Sequence, residues 1–487
     1  MKKINIYILA LMFLSVMISC KKNLNLVPIY DNTAATAYKK LDDFANGLNG
    51  MYTRFADVSY YNGNMGCVID APTDNVYETT ESLVNFQRLG NWTYLENEGF
   101  MQNTWITAYN GIYQSNVLIS RIDAFASENT QKYNRILGQL LAGRALMHFD
   151  LLKAYSNNLD RNSADLGIAI KTNTDLILPG RNTVKEVYDF IYAELNRSIT
   201  LLGNTDIAIN SATNKSYIDI NGARAIFAKV ALYAKDYPAA ISNSSAVITA
   251  IPLATRANFP GIWNDANANE VVWSIQNTTG DPGSPFPSAD VMSFRFNRNT
   301  FGLHVNLLAQ YDTVGFAAGN ARDIRFPTYF FLRNTTAGVN NWAIQKFKGK
   351  GAAADNLVNF KVFRTAEMYL IRAEASALTT GGEVAANADL NTLRAARIMP
   401  WVNVTYTGTA LVDQIALERR KELIVEGHRW FDLKRTTRIV NRPIAGLGNP
   451  NGLINPSLSA NSTKWVFPIP ETERRANPNM AQNPGYN

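Results

Sequence analysis

The stretch "LERRKELIVEGHRWFDLKR", Leu417–Arg435, mixes two patterns that usually occur apart. Eleven of its nineteen residues are ionisable, and Leu417, Leu423, Ile424, Val425, Trp430, Phe431 and Leu433 run between them. Glu418, Glu422 and Glu426 recur at every fourth position and would share one face of a helix. Two such carboxylates could act as acid and base in glycoside hydrolysis, and His428 could be added to make a metal site. Arg419, Arg420, Lys421 and Arg429 interleave with them, however, which holds the carboxylates ionised and paired. The chain has three histidines, His148, His304 and His428, too few for a multi-histidine metal centre. The stretch is therefore read as a strut: an Arg/Glu network bracing the last scaffold helices, with Trp430 and Phe431 packed inward.

Working outward, the dominant pattern is helical. In residues 37–55 Leu41, Phe44, Leu48, Met51, Tyr52 and Phe55 recur at three- and four-residue spacings. Residues 104–125 and 135–160 repeat that periodicity, and Thr183 with Glu186 has the spacing of a capping box. Residues 221–248 and 367–397 each read as a helix, a short turn and a second helix. Alanines recur between large side chains in both, which lets paired helices approach closely. Such pairs must stack on others to bury their faces. The two stretches stand far apart in sequence, so any array is expected to be interrupted. From about Ile251 to Asn359 the chain turns Gly-, Pro- and Asn-rich, with one strand-like run, "EVVWSIQ". The tail from Ile439 is similarly loop-like.

The opening "MKKINIYILALMFLSVMISC" has a basic start and an apolar run too short to cross about 30 Å of hydrocarbon comfortably. It reads as an export signal, and Met17-Ile18-Ser19-Cys20 resembles a lipobox that marks Cys20 for lipidation. That leaves Cys67 unpaired, a buried small hydrophobe rather than part of a disulfide framework. The net charge is +7, and +5 once Lys2 and Lys3 leave with the signal. That modest excess on an exported chain argues against a nucleic-acid partner. There is no phosphate-loop spacing and no HExxH.

Several of these blocks together resemble the SusD/RagB family of nutrient-binding outer-membrane lipoproteins. "ERRKELIVEGHRWFDLKR", "EMYLIRAEA" followed by "ADLNTLRAAR", and the terminal "WVFPIPETERRANPNMAQNPGY" stand in the family's order. So do "LLAGRALMHFDLLKAY" and "TVKEVYDFIYAEL". The resemblance implies a mostly α fold, with tetratricopeptide-like helix pairs as scaffold, long irregular loops and a few short strands. It implies a protein that is not an enzyme and needs no cofactor. Such a protein captures an oligosaccharide or other small nutrient as partner of a SusC-like TonB-dependent transporter, held to the outer membrane by its lipid anchor. "CKKNLNL" lacks the acidic residues often found after the cysteine of surface-exported lipoproteins, so cell-surface exposure is less secure than lipidation. The expected organisation is a signal at 1–19, a tether at 20–36, a helical region at 37–250, a loop-rich insertion at 251–359 contributing to the ligand face, and a C-terminal region at 360–487.

Sugars present an apolar C–H face fringed with hydroxyls, met by aromatic rings and by amide or charged side chains. Asp70, Asp74 and Asn75 in one loop and Asn91, Trp92 and Tyr94 in "GNWTYLEN" supply both, with Trp92 as the expected stacking platform. Phe294 and Trp342 are the candidates from the insertion, with Tyr311, Arg322 and Asp323 beside them. Two competing readings remain: an exported all-helical glycoside hydrolase or lyase, and a helical-repeat adhesion protein.

Overall fold

The computed structural model describes residues 37–82, 86–205, 207–278, 299–334, 340–347, 349, 357–445, 447, 450–453 and 455–486. The signal, the tether, Cys20 and Phe294 lie outside the described residues.

Among the described residues, ten helices of seven residues or more form the scaffold. They are α1 (Leu41–Phe55), α2 (Gly99–Ile122), α3 (Thr130–Tyr155), α4 (Val184–Gly203) and α5 (Ile220–Tyr233), then α6 (Tyr237–Ala250), α7 (Thr365–Ala377), α8 (Glu383–Arg397), α9 (Gly408–Glu422) and α10 (Arg429–Arg435). The apolar stripe of α1 buries Leu41, Phe44, Leu48, Met51 and Phe55 against α2 and α3. A Cβ on Gly111 of α2 would collide with Met147, and one on Gly143 of α3 with Met51. These glycines therefore set how closely the first three helices approach. The Thr183–Glu186 capping box is present at the start of α4: the Glu186 carboxylate accepts from Thr183 N at 2.8 Å.

Each helix from α1 to α8 packs on the next. The array is thus continuous in space, contrary to the expected interruption, because α6 lies directly on α7 although 114 residues separate Ala250 from Thr365. The intervening chain leaves and returns on one antiparallel pair, β2 (Val271–Ile275) with β6 (Phe360–Arg364). Its two ends are tied to the same spot: Thr365 Oγ1 donates to Ile251 O at 2.8 Å. The insertion is a loop out of the solenoid with its base stapled shut.

Beyond that staple the insertion joins the N-terminal region in one antiparallel sheet. Its order is β1 (Val76–Glu78), β3 (Phe301–Leu303), β5 (Asn340–Ile344) and β4 (Phe330–Asn334). Tyr77 pairs with Gly302, and a Cβ on that glycine would strike the tyrosine ring, so Gly302 lets the ring lie on the neighbouring strand. A two-stranded ribbon, β7 (Val440–Asn441) with β8 (Ser457–Leu458), orders part of the tail. Cys67 is fully buried.

Candidate functional site

The signature stretch does not form one helix. α9 stops at Glu422, and Val425 and Gly427 take left-handed conformations with φ of 52° and 82° before α10 begins. Glu426 is therefore off the helical face that the four-residue spacing suggested. It is brought back to Glu422 by the turn, where Arg364 spans both: its guanidinium lies 2.8 Å from Glu422 and 2.7 Å from Glu426.

Around that pair lies a buried ion network. Glu422 also meets Arg397 at 3.1 Å and Arg325 at 3.2 Å, Glu418 meets Arg394 at 2.7 Å, and Glu426 meets Lys346 at 2.5 Å. Glu270 bridges Arg364 and Arg397, and Asp323 holds Arg325 at 2.9 Å. Lys421 also meets Asp323 at 3.6 Å, so that five anions face six cations, which is how charges survive out of water. Burial alone would raise Glu418 and Glu422, but the surrounding arginines outweigh it and hold both carboxyls well below the usual range. Carboxylates held ionised and fully paired offer no proton to a glycosidic oxygen. Trp430 and Phe431 are buried as expected, Trp430 tilted on Trp465 at 4.6 Å.

The N-terminal residues expected at a ligand face are buried. Asp70 Oδ2 accepts from Val425 N at 2.7 Å, fixing the turn of the signature, and from the Asn75 amide at 3.1 Å. Burial pushes the Asp70 carboxyl up to about 6, against these bonds. Asp74 receives Arg429 in a two-pronged pair at 2.7 and 2.8 Å, and Arg420 at 3.3 Å. Burial would raise Asp74, but the two arginines hold it at about 2. Asn75 accepts from Arg420 at 2.9 Å. Trp92 is 5% exposed, its indole N–H donates to Pro72 O at 3.0 Å, and Arg442 covers its ring at 4.2 Å. A ring so enclosed has no open face for a sugar. Tyr94 is fully buried against Phe467, its hydroxyl donating to Lys464 O. Asn91 lines a crevice with Tyr77, Glu78, Gln87 and Asn451, whose floor has room for about one water at 10 Å³.

Trp342 is placed differently. It is half-buried on β5, opposite Leu332, and braced by Phe326 at 4.7 Å and Phe316 at 5.4 Å. Its strand stands two strand spacings, roughly 10 Å, from β1. Its neighbour Asn341 is buried and accepts from Asn299 at 2.6 Å. From the same insertion, Asp323 belongs to the ion network and the Tyr311 hydroxyl donates to Lys421 O at 2.7 Å. Arg442 had no signal in the sequence. Its guanidinium donates to the carbonyls of Gly90, Asn455, Ala71 and Thr73, a role set wholly by the fold.

Both ends of the chain match family models. Residues 29–232 match a family described as starch-binding associating with the outer membrane, and residues 310–486 match the SusD family model. The chain belongs to the SusD/RagB family. A SusD-like protein of Formosa agariphila, P38, is 24% identical across the whole of this chain and 99% of its own length. A SusD superfamily protein of Bacteroides thetaiotaomicron shares the fold with a TM-score of 0.79 at 24% identity, over 92% of this chain and all of its own. A SusD-like carbohydrate-binding protein of Bacteroides vulgatus does so with a TM-score of 0.78 at 22% identity, over 91% of this chain and 98% of its own. In this SusD-family chain the C-terminal signature is the keystone between scaffold and N-terminal loop.

Proposed function

We propose that this chain binds a glycan without cleaving it. It works as a lipid-anchored outer-membrane protein, acylated at Cys20, that passes its ligand to a SusC-like TonB-dependent transporter. The likeness to a carbohydrate-binding relative over nearly the full length of both chains carries the reading. The pairing of Glu418, Glu422 and Glu426 with arginine and lysine supports binding over hydrolysis. The ligand face is the sheet side, with Trp342 as platform and the Asn91 crevice beside it. Asp70, Asp74, Asn75, Trp92 and Tyr94 shape that face from beneath.

Affinity electrophoresis of the mature protein against a polysaccharide panel tests this. At least one polymer should retard wild type, Trp342→Ala should run faster in it, and no new reducing ends should appear. Release of reducing ends, or retardation by none of the panel, would overturn the proposal.

A further inference from the structure

A further cleft lies away from this face, on the helical scaffold. It holds about 360 Å³ between α1, α3 and the segment leading into α5, within the range of small-ligand sites. Its charged lining is one-sided: Lys132 and Arg135, with no carboxylate among the described lining residues. Lys132 is paired with Asp42. Arg135 is half-buried, and its guanidinium meets no carboxylate or other acceptor among the described residues. Asn46 and Asn49, one turn apart on α1, present exposed carboxamides to the same cleft.

The wall carrying Tyr217 is fixed rather than loose. Tyr52 OH donates to Gln139 Oε1 at 2.6 Å and accepts from Ile218 N at 2.9 Å, which pins that segment to α1 and α3. Tyr217 then stands edge-on to Tyr52 at 5.3 Å and is itself 36% exposed. One unpaired guanidinium, two free amides and a fixed aromatic ring suit one ligand chemistry. The guanidinium takes a carboxylate in two parallel hydrogen bonds, the amides take hydroxyls, and the ring takes a C–H face.

We propose that this cleft is a second sugar site, selective for a carboxylated ring, a hexuronate unit, and independent of Trp342. It extends the glycan-binding reading to a substrate class, but its test does not depend on the sheet face. The mature protein is titrated calorimetrically with methyl glucuronide and methyl galacturonide, and with methyl glucoside and methyl galactoside as neutral counterparts. At least one acidic sugar should bind, at least tenfold tighter than its neutral counterpart. Arg135→Met should lose that binding at least tenfold with an unchanged melting curve, and Trp342→Ala should keep it. The assignment is overturned if neither acidic sugar binds, if the neutral sugar binds equally, if Arg135→Met binds as wild type, or if Trp342→Ala loses binding as fully as Arg135→Met. Polymer retardation that depends on Trp342 while neither uronide binds would leave the glycan reading standing and remove this site alone.

Discussion

Asp74 and Arg429 stand 355 residues apart and form a two-pronged pair at 2.7 and 2.8 Å, both largely buried. The pair locks the N-terminal loop onto the turn of the C-terminal signature, so a loop rich in ligand-type residues serves the frame. Asp74→Ala leaves Arg429 and Arg420 buried without their carboxylate. The expected cost is about 3–5 kcal/mol, read as a lower urea midpoint. A loss below about 1 kcal/mol would mean the pair is not structural.

Acid stability follows from the same contacts. Asp74 and Asp432 are each held at about 2 in the folded chain, where burial is outweighed by Arg420 and Arg429 for the first and by Arg419 and Arg435 for the second. The unfolded value is about 3.9, so each contributes stability above that pH, on the order of 2 kcal/mol, which is lost as pH falls from about 5 through 2. Asp70 acts oppositely: burial raises it to about 6, so the folded chain binds its proton first and gains stability as pH falls from 7 to 4. The histidines oppose that gain: burial lowers His148 to about 3 and His304 to about 4, and lowers His428 too, so the unfolded chain takes up their protons first as pH falls below about 6.5 and stability is lost there. The urea midpoint of wild type should fall from pH 7 to 5 and drop further below 4. Asp70→Asn should make the fall between pH 7 and 5 steeper, and an unchanged slope would contradict the assignment.

Gly427 sits at φ 82° with the carbonyl of Met65 in the place a Cβ would occupy. Gly427→Ala should destabilise by about 1–3 kcal/mol or more, since the backbone oxygen cannot swing aside as a side chain could. Thermal melting of the variant beside wild type checks it; an unchanged melting temperature would show that the turn can relax.

Trp92 and Trp342 should separate stability from binding. Trp92→Ala removes a core ring and leaves Arg442 uncovered, at about 3–5 kcal/mol, yet its folded fraction should bind glycan as wild type does. Trp342→Ala should cost less stability and weaken retardation in polysaccharide gels. The reverse outcome, binding lost with Trp92 and kept without Trp342, would put the platform back at Trp92.

Short-range features were legible in the sequence. The α1 stripe, the Thr183 capping box, the helix pairs at 221–248 and 367–397, and the strand "EVVWSIQ" all follow from periodicity and local capping, which act over a few residues. The interleaved charges pointed to a paired signature but to the wrong pairs: Glu418, Glu422 and Glu426 take Arg394, Arg397, Arg364, Arg325 and Lys346 from elsewhere in the chain, while Arg419 pairs with Asp432 and Arg420 and Arg429 with Asp74. What the sequence could not supply was the identity of the distant partners.

That part belongs to the tertiary structure. Asp70, Asp74, Asn75, Trp92 and Tyr94 have the composition of a sugar site, and composition alone cannot tell a residue above a surface from one beneath it. The fold seals them by bringing Val425, Arg429, Arg420, Arg442 and Lys464 from more than 300 positions away. The same long-range closure stacks α6 on α7 and turns an apparent break into a continuous solenoid. Local sequence set the helices and their faces. Contacts across the chain decided which polar residues are spent on the frame and which are left facing solvent, because a buried charge takes whichever partner the fold delivers.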